Sequence, residues 1–373
     1  MKFILSGGGT GGHVNPALAI GEAIEKHDAG AEIHYVGTPK GIENKLVPEK
    51  YPMHHIEITG LKRSLSIDNL KTLYLVAKAK REAKKLLKEL RPDAVIGTGG
   101  YVCWPICAAA AKMKIPCFLH ESNAVPGFAV KTLKGSADAV FVNFDKTREY
   151  LNGAKRVVHV GTPLKSGFYE YDRESARRRL GIDPKYKKIV LSFGGSLGAA
   201  FLNSQILALM EEYGASHPDT LFIHATGAKG YDSFIKSFKE KKLDTLDNLL
   251  VMEYIYDMPV YMSASDLIIS RSGAMTLSEI AVLEKPSILI PSPNVTNDQQ
   301  TKNARLLSDQ GAAVLMREAD LTPGALAGKT DELLGSEKAA RAMAQRVSAF
   351  AVKNAEDVIC SEIFKTIEEK RNK

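Results

Sequence analysis

The chain has 373 residues, enough for two domains, and its 45% hydrophobic and 25% charged residues are ordinary for a soluble globular protein. A formal net charge of +7 favours an anionic partner such as a nucleotide, a diphosphate lipid or a membrane surface. No apolar run is long enough to span a bilayer, and "MKFILS" is too short for a signal-peptide core. Cys103, Cys107, Cys117 and Cys360 follow neither a C-x-x-C nor a zinc spacing, so they read as buried thiols in a reducing cytoplasm.

The first predicted element, the strand "KFILS", meets five glycines among six residues, then His13 and a helix from about Pro16. Gly7, Gly9 and Gly12 fit the G-x-G-x-x-G spacing, in which bare backbone N–H groups approach a diphosphate at a helix N-terminus. The second strand, "AEIHYVGTP", ends on Gly37 and Thr38, without the carboxylate that would hold a nicotinamide ribose. That absence argues against a dinucleotide enzyme. A short helix, the strand "MHHIEIT" and a long helix over 68–90 come next. They are followed by "DAVIGTGG", a helix over 102–113, "CFLHES" and "DAVFVNF". Strands alternating with helices predict a parallel sheet wrapped by helices.

After "RVVHVGTP", the charged stretch "YEYDRESARRRLGIDPKYKK" reads as a surface connection between domains. The pattern then restarts at "KKIVLSFGGSLGAAFLNSQI" and runs through the strands "TLFIHAT", "NLLVMEYI", "DLIISRS", "SILIPSP" and "AAVLM". The expected division is residues 1–162, residues 163–353 and a final helix over 354–373. The fold class is therefore α/β, with two Rossmann-like domains. Four glycine-bearing loops, at 7–12, 97–102, 194–199 and 270–276, each follow a strand, the end at which open α/β sheets bind ligands. Facing domains would gather all four on one cleft, a two-substrate layout that suits a transferase. Four unrelated tight turns are the plainer alternative, since glycine is a common turn residue.

The stretches "GGTGGHVNPALAI", "GTGGYV", "HESN", "GGSLGA", "SRSGAMTLSEIA" and "NDQQTKNA" resemble, in order, the MurG family of glycosyltransferases. That resemblance implies the two-domain GT-B fold, with the last helix crossing back to the first domain. It also implies an inverting transfer of N-acetylglucosamine from UDP-N-acetylglucosamine to the 4-hydroxyl of undecaprenyl-diphosphate-linked muramyl peptide (lipid I) in peptidoglycan synthesis. The acceptor would be handled by the first domain and the nucleotide sugar by the second. A UDP-sugar epimerase, another lipid glycosyltransferase of this fold, or a catalytically silent UDP-sugar-binding protein would keep similar nucleotide loops.

His13 is the candidate base, because an imidazole titrates near neutral pH. A histidine at a helix start is also commonly a cap or a packed side chain. Glu121 would orient His13 or the acceptor hydroxyl, although Glu121 and Asn123 also suit a cap of the next segment. The backbone of Gly8, Gly9, Thr10, Gly11 and Gly12, with Gly99, Gly100 and Tyr101, would cradle the acceptor diphosphate. The resemblance further counts Thr10, Gly11, Gly12 and Asn123 among donor-contacting positions.

On the second domain, backbone N–H groups around Ser196, and those of Ala274, Met275 and Thr276, would meet the UDP phosphates, with Leu277 and Ser278 in the same turn. Glu279 would accept both ribose hydroxyls, Ile255 would read the uracil edge through its backbone, and Gln299 and Gln300 would contact the sugar. Three positions depart from the family. Ser122 stands where it usually has Gln, and Leu197 where it often has Gln. Lys165 stands where it often has Arg, keeping a cation but losing the bidentate fork.

No D-x-D motif occurs, so metal-free catalysis is expected, with helix termini and basic residues stabilising the leaving UDP. Leu65, Ile67, Leu70, Leu73, Tyr74 and Leu75 beside Lys78, Lys80, Arg81, Lys84, Lys85 and Lys88 would suit peripheral docking on an anionic leaflet. They would equally suit a sheet-covering helix with a solvated basic face. The expected location is the cytoplasmic face of the bacterial membrane, with other cell-wall synthesis proteins as possible partners. No nucleic-acid-binding motif is present.

Overall fold

The computed structural model describes residues 1–58, 68–195 and 197–372, with backbone alone over 68–73. It divides into two compact units, residues 1–164 with 352–373, and residues 165–351.

The first unit opens with β1 (Lys2–Gly7), α1 (Gly11–His27), β2 (Glu32–Gly37), α2 (Glu43–Leu46), β3 (Met53–His55) and α3 (Asp68–Leu90). It continues with β4 (Ala94–Gly99), α4 (Cys103–Lys112), β5 (Cys117–Glu121), α5 (Phe128–Leu133), β6 (Ala139–Val142) and β7 (Val157–His159). Among the described residues these strands form one parallel sheet in the order β3-β2-β1-β4-β5-β6-β7. Phe3, Ile4 and Leu5 are all fully buried, as are Val95 and Ile96, because helices cover both faces of the sheet. Phe3, Leu5, Ile96, Phe118 and Phe141 join Ile20 and Ile24 of α1 on one face. Ile4, Val95, Leu119 and Val140 join Ala83 and Leu87 of α3 and Ile106 of α4 on the other.

The second unit contains α6 (Arg173–Arg179), β8 (Lys188–Phe193), α7 (Ala200–Tyr213), β9 (Thr220–Ala225), α8 (Tyr231–Glu240), β10 (Leu249–Met252) and α9 (Met258–Ala264). Then come β11 (Leu267–Ser270), α10 (Ala274–Val282), β12 (Ser287–Leu289), α11 (Gln299–Ser308), β13 (Val314–Leu315), α12 (Ala325–Gly335) and α13 (Glu337–Ser348). The sheet order is β10-β9-β8-β11-β12-β13, again parallel among the described residues.

The charged stretch after residue 169 differs from the expected surface connection. Asp172 and Ser175 form a capping box that starts α6. Arg173 and Arg177 both bind the Asp266 carboxylate, at 2.8 and 2.6 Å, and Ala176 is fully buried. One stripe of this highly charged segment is thus an integral part of the second unit.

The last helix, α14 (Ala355–Arg371), belongs to the first unit. Ile359, Cys360, Ile363 and Ile367 share one buried cluster with Ile20 and Ile24 of α1 and with Phe3, Leu5, Phe118 and Phe141 of the sheet. Polar fasteners flank that seam: the Leu164 N–H donates to Glu356 at 3.0 Å, Arg156 pairs with Glu362 at 2.7 Å, and Lys370 pairs with Asp138 at 2.6 Å. All four cysteines are free and buried.

Candidate active site

In each sheet the direction of winding reverses once, between β1 and β4 in the first unit and between β8 and β11 in the second. Ligands of such sheets bind at the carboxyl ends of the strands flanking this reversal. The four glycine loops follow those four strands.

In the first unit the loops after β1 and β4 interlock. The Gly8 N–H donates to the Gly99 C=O at 3.3 Å. Gly100, at φ +81°, lies so close to Gly8 that an added Cβ would stand 2.3 Å from the Gly8 oxygen. Gly99 leaves room for the His13 ring, whose Cδ2 would be 2.5 Å from a Cβ there. Thr98 completes the contact by donating to the His13 C=O at 2.6 Å. The Thr10 hydroxyl does not cap the helix, and the N–H groups of Gly11 and Gly12 have no partner among the described residues, leaving an open helix N-terminus. The first turn of α1 carries no acidic residue to oppose an anion.

The His13 Nδ1 lies 3.0 Å from the Gly8 C=O, with the Thr10 hydroxyl further off at 3.4 Å. A carbonyl can only accept, so Nδ1 carries the hydrogen in the neutral ring and Nε2 keeps its lone pair. This is the tautomer a base requires.

Glu121 is buried at the end of β5, and its oxygens are already occupied. They accept from the Asn123 N–H at 2.9 Å, the Asn123 side-chain amide at 3.0 Å and the Gly127 N–H at 2.7 Å. Burial pushes its pKa up, against these hydrogen bonds and the nearby His13 ring. Its carboxylate organises the loop before α5, and its charge reaches His13 through space. Tyr101 is exposed beside Gly100.

Glu43 is a residue that the sequence patterns do not single out. It is fully buried at the start of α2, where it accepts from the Thr38 N–H at 2.8 Å, the Thr38 hydroxyl at 2.7 Å and the Gly9 N–H at 3.2 Å. Burial alone would raise its pKa, but these donors prevail and hold it below the usual carboxylate range.

In the second unit Gly198 approaches the next loop so closely that a Cβ would sit 2.0 Å from the Thr226 oxygen. At Gly227, φ +74°, an added Cβ would likewise stand 2.1 Å from the Gly198 nitrogen. Gly227 therefore shapes the "GGSLGA" loop from a neighbouring strand, a role signalled only by a glycine just after "TLFIHAT". Behind the loop, Ser192, His224 and Asn203 form a buried relay ending on the Thr226 C=O, with links of 2.8, 3.2 and 3.0 Å. Burial lowers the His224 pKa to about 4, so this brace is neutral near pH 7. Ser196 lies outside the described residues, as do Leu65 and Ile67 and the side chains of Leu70 and Leu73.

At the start of α10, Gly273 has no side chain to cap the helix and no acidic residue occupies the first turn. Ala274 is buried, while Met275 and Thr276 are part-exposed. Leu277 and Ser278 turn inward. Leu277 is buried and the Ser278 hydroxyl bonds to the Ala274 C=O at 3.2 Å, so neither residue offers its side chain to a ligand. Glu279 is part-buried, and its carboxyl has no hydrogen-bonding partner among the described residues. Burial pushes its pKa up to about 7, and the positive charge of exposed Lys165 opposes that shift. A carboxylate held this way is short of donors.

Ile255 is buried between the exposed rings of Tyr254 and Tyr256. Asn297 and Asp298 both adopt left-handed backbone, at φ 59° and 51°, before α11 begins at Gln299. The amide oxygen of the Gln300 side chain accepts from the Ser292 N–H at 2.8 Å, and the Gln300 backbone carbonyl accepts from the Ser272 hydroxyl at 2.9 Å. Gln300 therefore ties this loop to the one after β11, leaving Gln299 as the amide without a side-chain partner among the described residues. Among the described residues, no group of three metal-binding side chains occurs, and no helix is long and apolar enough to cross a membrane.

Paired parallel α/β units, each with glycine loops at its switch point, give the two-domain GT-B fold. The N-terminal domain of glycosyltransferase family 28 matches residues 3–142, and the C-terminal domain of that family matches residues 189–359. A UDP-N-acetylglucosamine--N-acetylmuramyl-(pentapeptide) pyrophosphoryl-undecaprenol N-acetylglucosamine transferase of Acetivibrio thermocellus is 42% identical, over 98% of each protein. The enzyme of the same name from Halalkalibacterium halodurans is 42% identical over 95% of this protein and 96% of its own length. The crystal structure of Acinetobacter baumannii MurG superposes with a TM-score of 0.77 at 29% identity, covering 98% of this protein and 99% of that one. The chain belongs to the MurG family of glycosyltransferases.

Proposed function

We propose that this protein transfers N-acetylglucosamine from UDP-N-acetylglucosamine to the 4-hydroxyl of the muramyl sugar in undecaprenyl-diphosphate-linked muramyl peptide, with inversion at the sugar carbon. The relatives' names supply the substrates, and the site supplies residues suited to each step. Ribose hydroxyls donate to Glu279, filling its missing hydrogen bonds, while the diphosphate meets the open starts of α7 and α10 with Lys165 nearby. The Ile255 backbone faces the uracil edge, and Gln299 hydrogen-bonds the sugar. The acceptor diphosphate lies against the N–H groups of Thr10, Gly11 and Gly12. The acceptor O4 attacks C1 as His13 Nε2 takes its proton. The C1–oxygen bond to the diphosphate breaks, and its electron pair leaves with UDP.

The observation that carries this reading is the His13 ring, held by the Gly8 C=O so that Nε2 is the basic nitrogen. Preorganised dipoles and cations placed where charge develops can stabilise a leaving diphosphate without a metal, so turnover is expected to survive chelator. Docking on the cytoplasmic leaflet is assigned to the basic face of α3. Tyr74 there is exposed, but Lys78 pairs with Glu57 and Lys80 stacks 4.6 Å from Trp104, so those two cations are already engaged.

Labelled UDP-N-acetylglucosamine incubated with and without a short-chain lipid I analogue tests the assignment. Label should pass to the analogue, with little consumption of donor in its absence. Acceptor-independent conversion of the donor to an epimer would overturn it.

A further inference from the structure

We infer that Glu43 is a positioning residue for the base, acting on His13 through a single peptide group. The Gly8–Gly9 peptide is gripped at both ends. Its N–H donates to Glu43 Oε2 at 3.2 Å, and its C=O accepts from His13 Nδ1 at 3.0 Å. Carboxylate, amide and imidazole therefore form one continuous series of hydrogen bonds, with the peptide standing between the acid and the ring. Such series polarise their members: a carboxylate on the N–H end makes the C=O end a stronger acceptor. The stronger acceptor fixes Nδ1–H, orients the ring and favours the imidazolium that forms when Nε2 takes a proton. A carboxylate in direct contact with a histidine does the same in hydrolytic triads.

The surroundings fit a part built for this place. Gly8, Gly37 and Gly41 form its slot, where an added Cβ would stand 2.8, 2.6 and 2.1 Å from Glu43 side-chain atoms. The other oxygen is held by Thr38, through backbone and hydroxyl, which keeps the carboxylate from rotating away. Its donors keep it charged although it is fully buried. A stabilising role for the loop alone would not need a charge, since a neutral acceptor would serve the Gly9 N–H.

Among the described residues, two carboxylates bear on the ring. Glu43 comes from the α2 side and Glu121 from the end of β5. From the ends of β1 and β4 the ring meets backbone, at Gly8 and Gly99. On α14, Glu356 lies by Lys26, at the opposite end of α1.

This inference rests on His13 being the base, and the test separates the two. Turnover would be measured against pH at saturating substrates for the wild type, Glu43→Gln, His13→Ala and the double variant. Glu43→Gln should lower turnover roughly tenfold or more, a part of the ~10²–10⁴-fold that a positioned base contributes. Loss of the charge disfavours imidazolium, so the acid limb of its profile should move to lower pH, with the donor KM unchanged. Adding Glu43→Gln to His13→Ala should cost nothing further. An equal loss in both backgrounds, or a raised acceptor KM with an unmoved acid limb, would reduce Glu43 to a loop fastener. A His13→Ala protein of normal turnover would remove the base assignment itself. Should Glu43→Gln fail to fold, ¹⁵N shifts of the His13 ring in the unmutated protein serve instead. They should report the Nδ1–H tautomer, and an Nε2–H tautomer would overturn the linkage.

Discussion

Glu279 offers a prediction that can be worked from the structure and measured without any acceptor. Its carboxyl has no donor among the described residues, and burial raises its pKa from the ordinary 4.5 to about 7. Two ribose hydroxyls donating to it would favour the ionised form, so binding the nucleotide sugar should expel a proton. If only the carboxylate binds well, affinity should fall about tenfold between pH 8 and pH 6, because the site must first be deprotonated. UDP-N-acetylglucosamine suits the experiment, since its diphosphate stays fully ionised over that range.

Isothermal titration in buffers of different ionisation enthalpy would read both the affinity and the proton released, about half a proton per site near pH 7. Glu279→Gln should bind roughly 1.5–3 kcal/mol more weakly, the range for hydrogen bonds to a charged group, and lose the pH dependence. The same shift has a consequence for the free protein. A folded pKa above the unfolded one gives stability present below pH 4.5 and lost as pH rises through about 7, at most about 3 kcal/mol. Glu279→Gln should therefore raise the melting temperature of the unliganded protein at pH 8. Affinity that ignores pH, or a Gln variant that binds like the wild type, would refute the ribose assignment.

Further outcomes follow from the packing. Gly227→Ala forces a Cβ to 2.1 Å from the Gly198 nitrogen, so it should weaken UDP-N-acetylglucosamine binding while leaving the melting of the first unit unchanged, as read by titration and calorimetry. Ile363→Ala empties a fully buried site between α14 and α1, and should cost about 2–5 kcal/mol of stability in denaturant unfolding without altering nucleotide affinity. Replacing Lys84 and Lys85 with glutamate should weaken binding to anionic vesicles by about 1 kcal/mol per charge and spare turnover of a soluble acceptor.

Much of the fold was legible because parallel strands buried on both faces read as unbroken apolar runs, as in "KFILS" and "KIVLS". The loops were legible for a related reason: glycines directly after a strand mark close backbone approach, which Gly99, Gly100 and Gly198 display. The segment over 170–187 reads as a surface connection because its charges outnumber its apolar residues, yet it folds into the second unit. Its place in the second unit depends on Asp266, nearly ninety residues on, which no local pattern reveals. Glu43 carries no local signal for the same reason. Its partners are Thr38 nearby and Gly9 far back in the sequence, joined only when the β2–α2 turn folds beneath the first loop. Glu121 stands out in the sequence as a carboxylate at a strand's end, yet its bonds to Asn123 and Gly127 show how fully it serves its own loop.

The central claim is that the unit around α1 supplies the base while the unit around α10 holds the nucleotide sugar. The most direct test is His13→Ala, with turnover of a lipid I analogue and affinity for UDP-N-acetylglucosamine measured on the same preparation. Turnover should fall by about 10²–10⁴-fold, the usual contribution of a positioned general base, with donor affinity unchanged. Near-normal turnover with an unchanged pH profile would contradict the account.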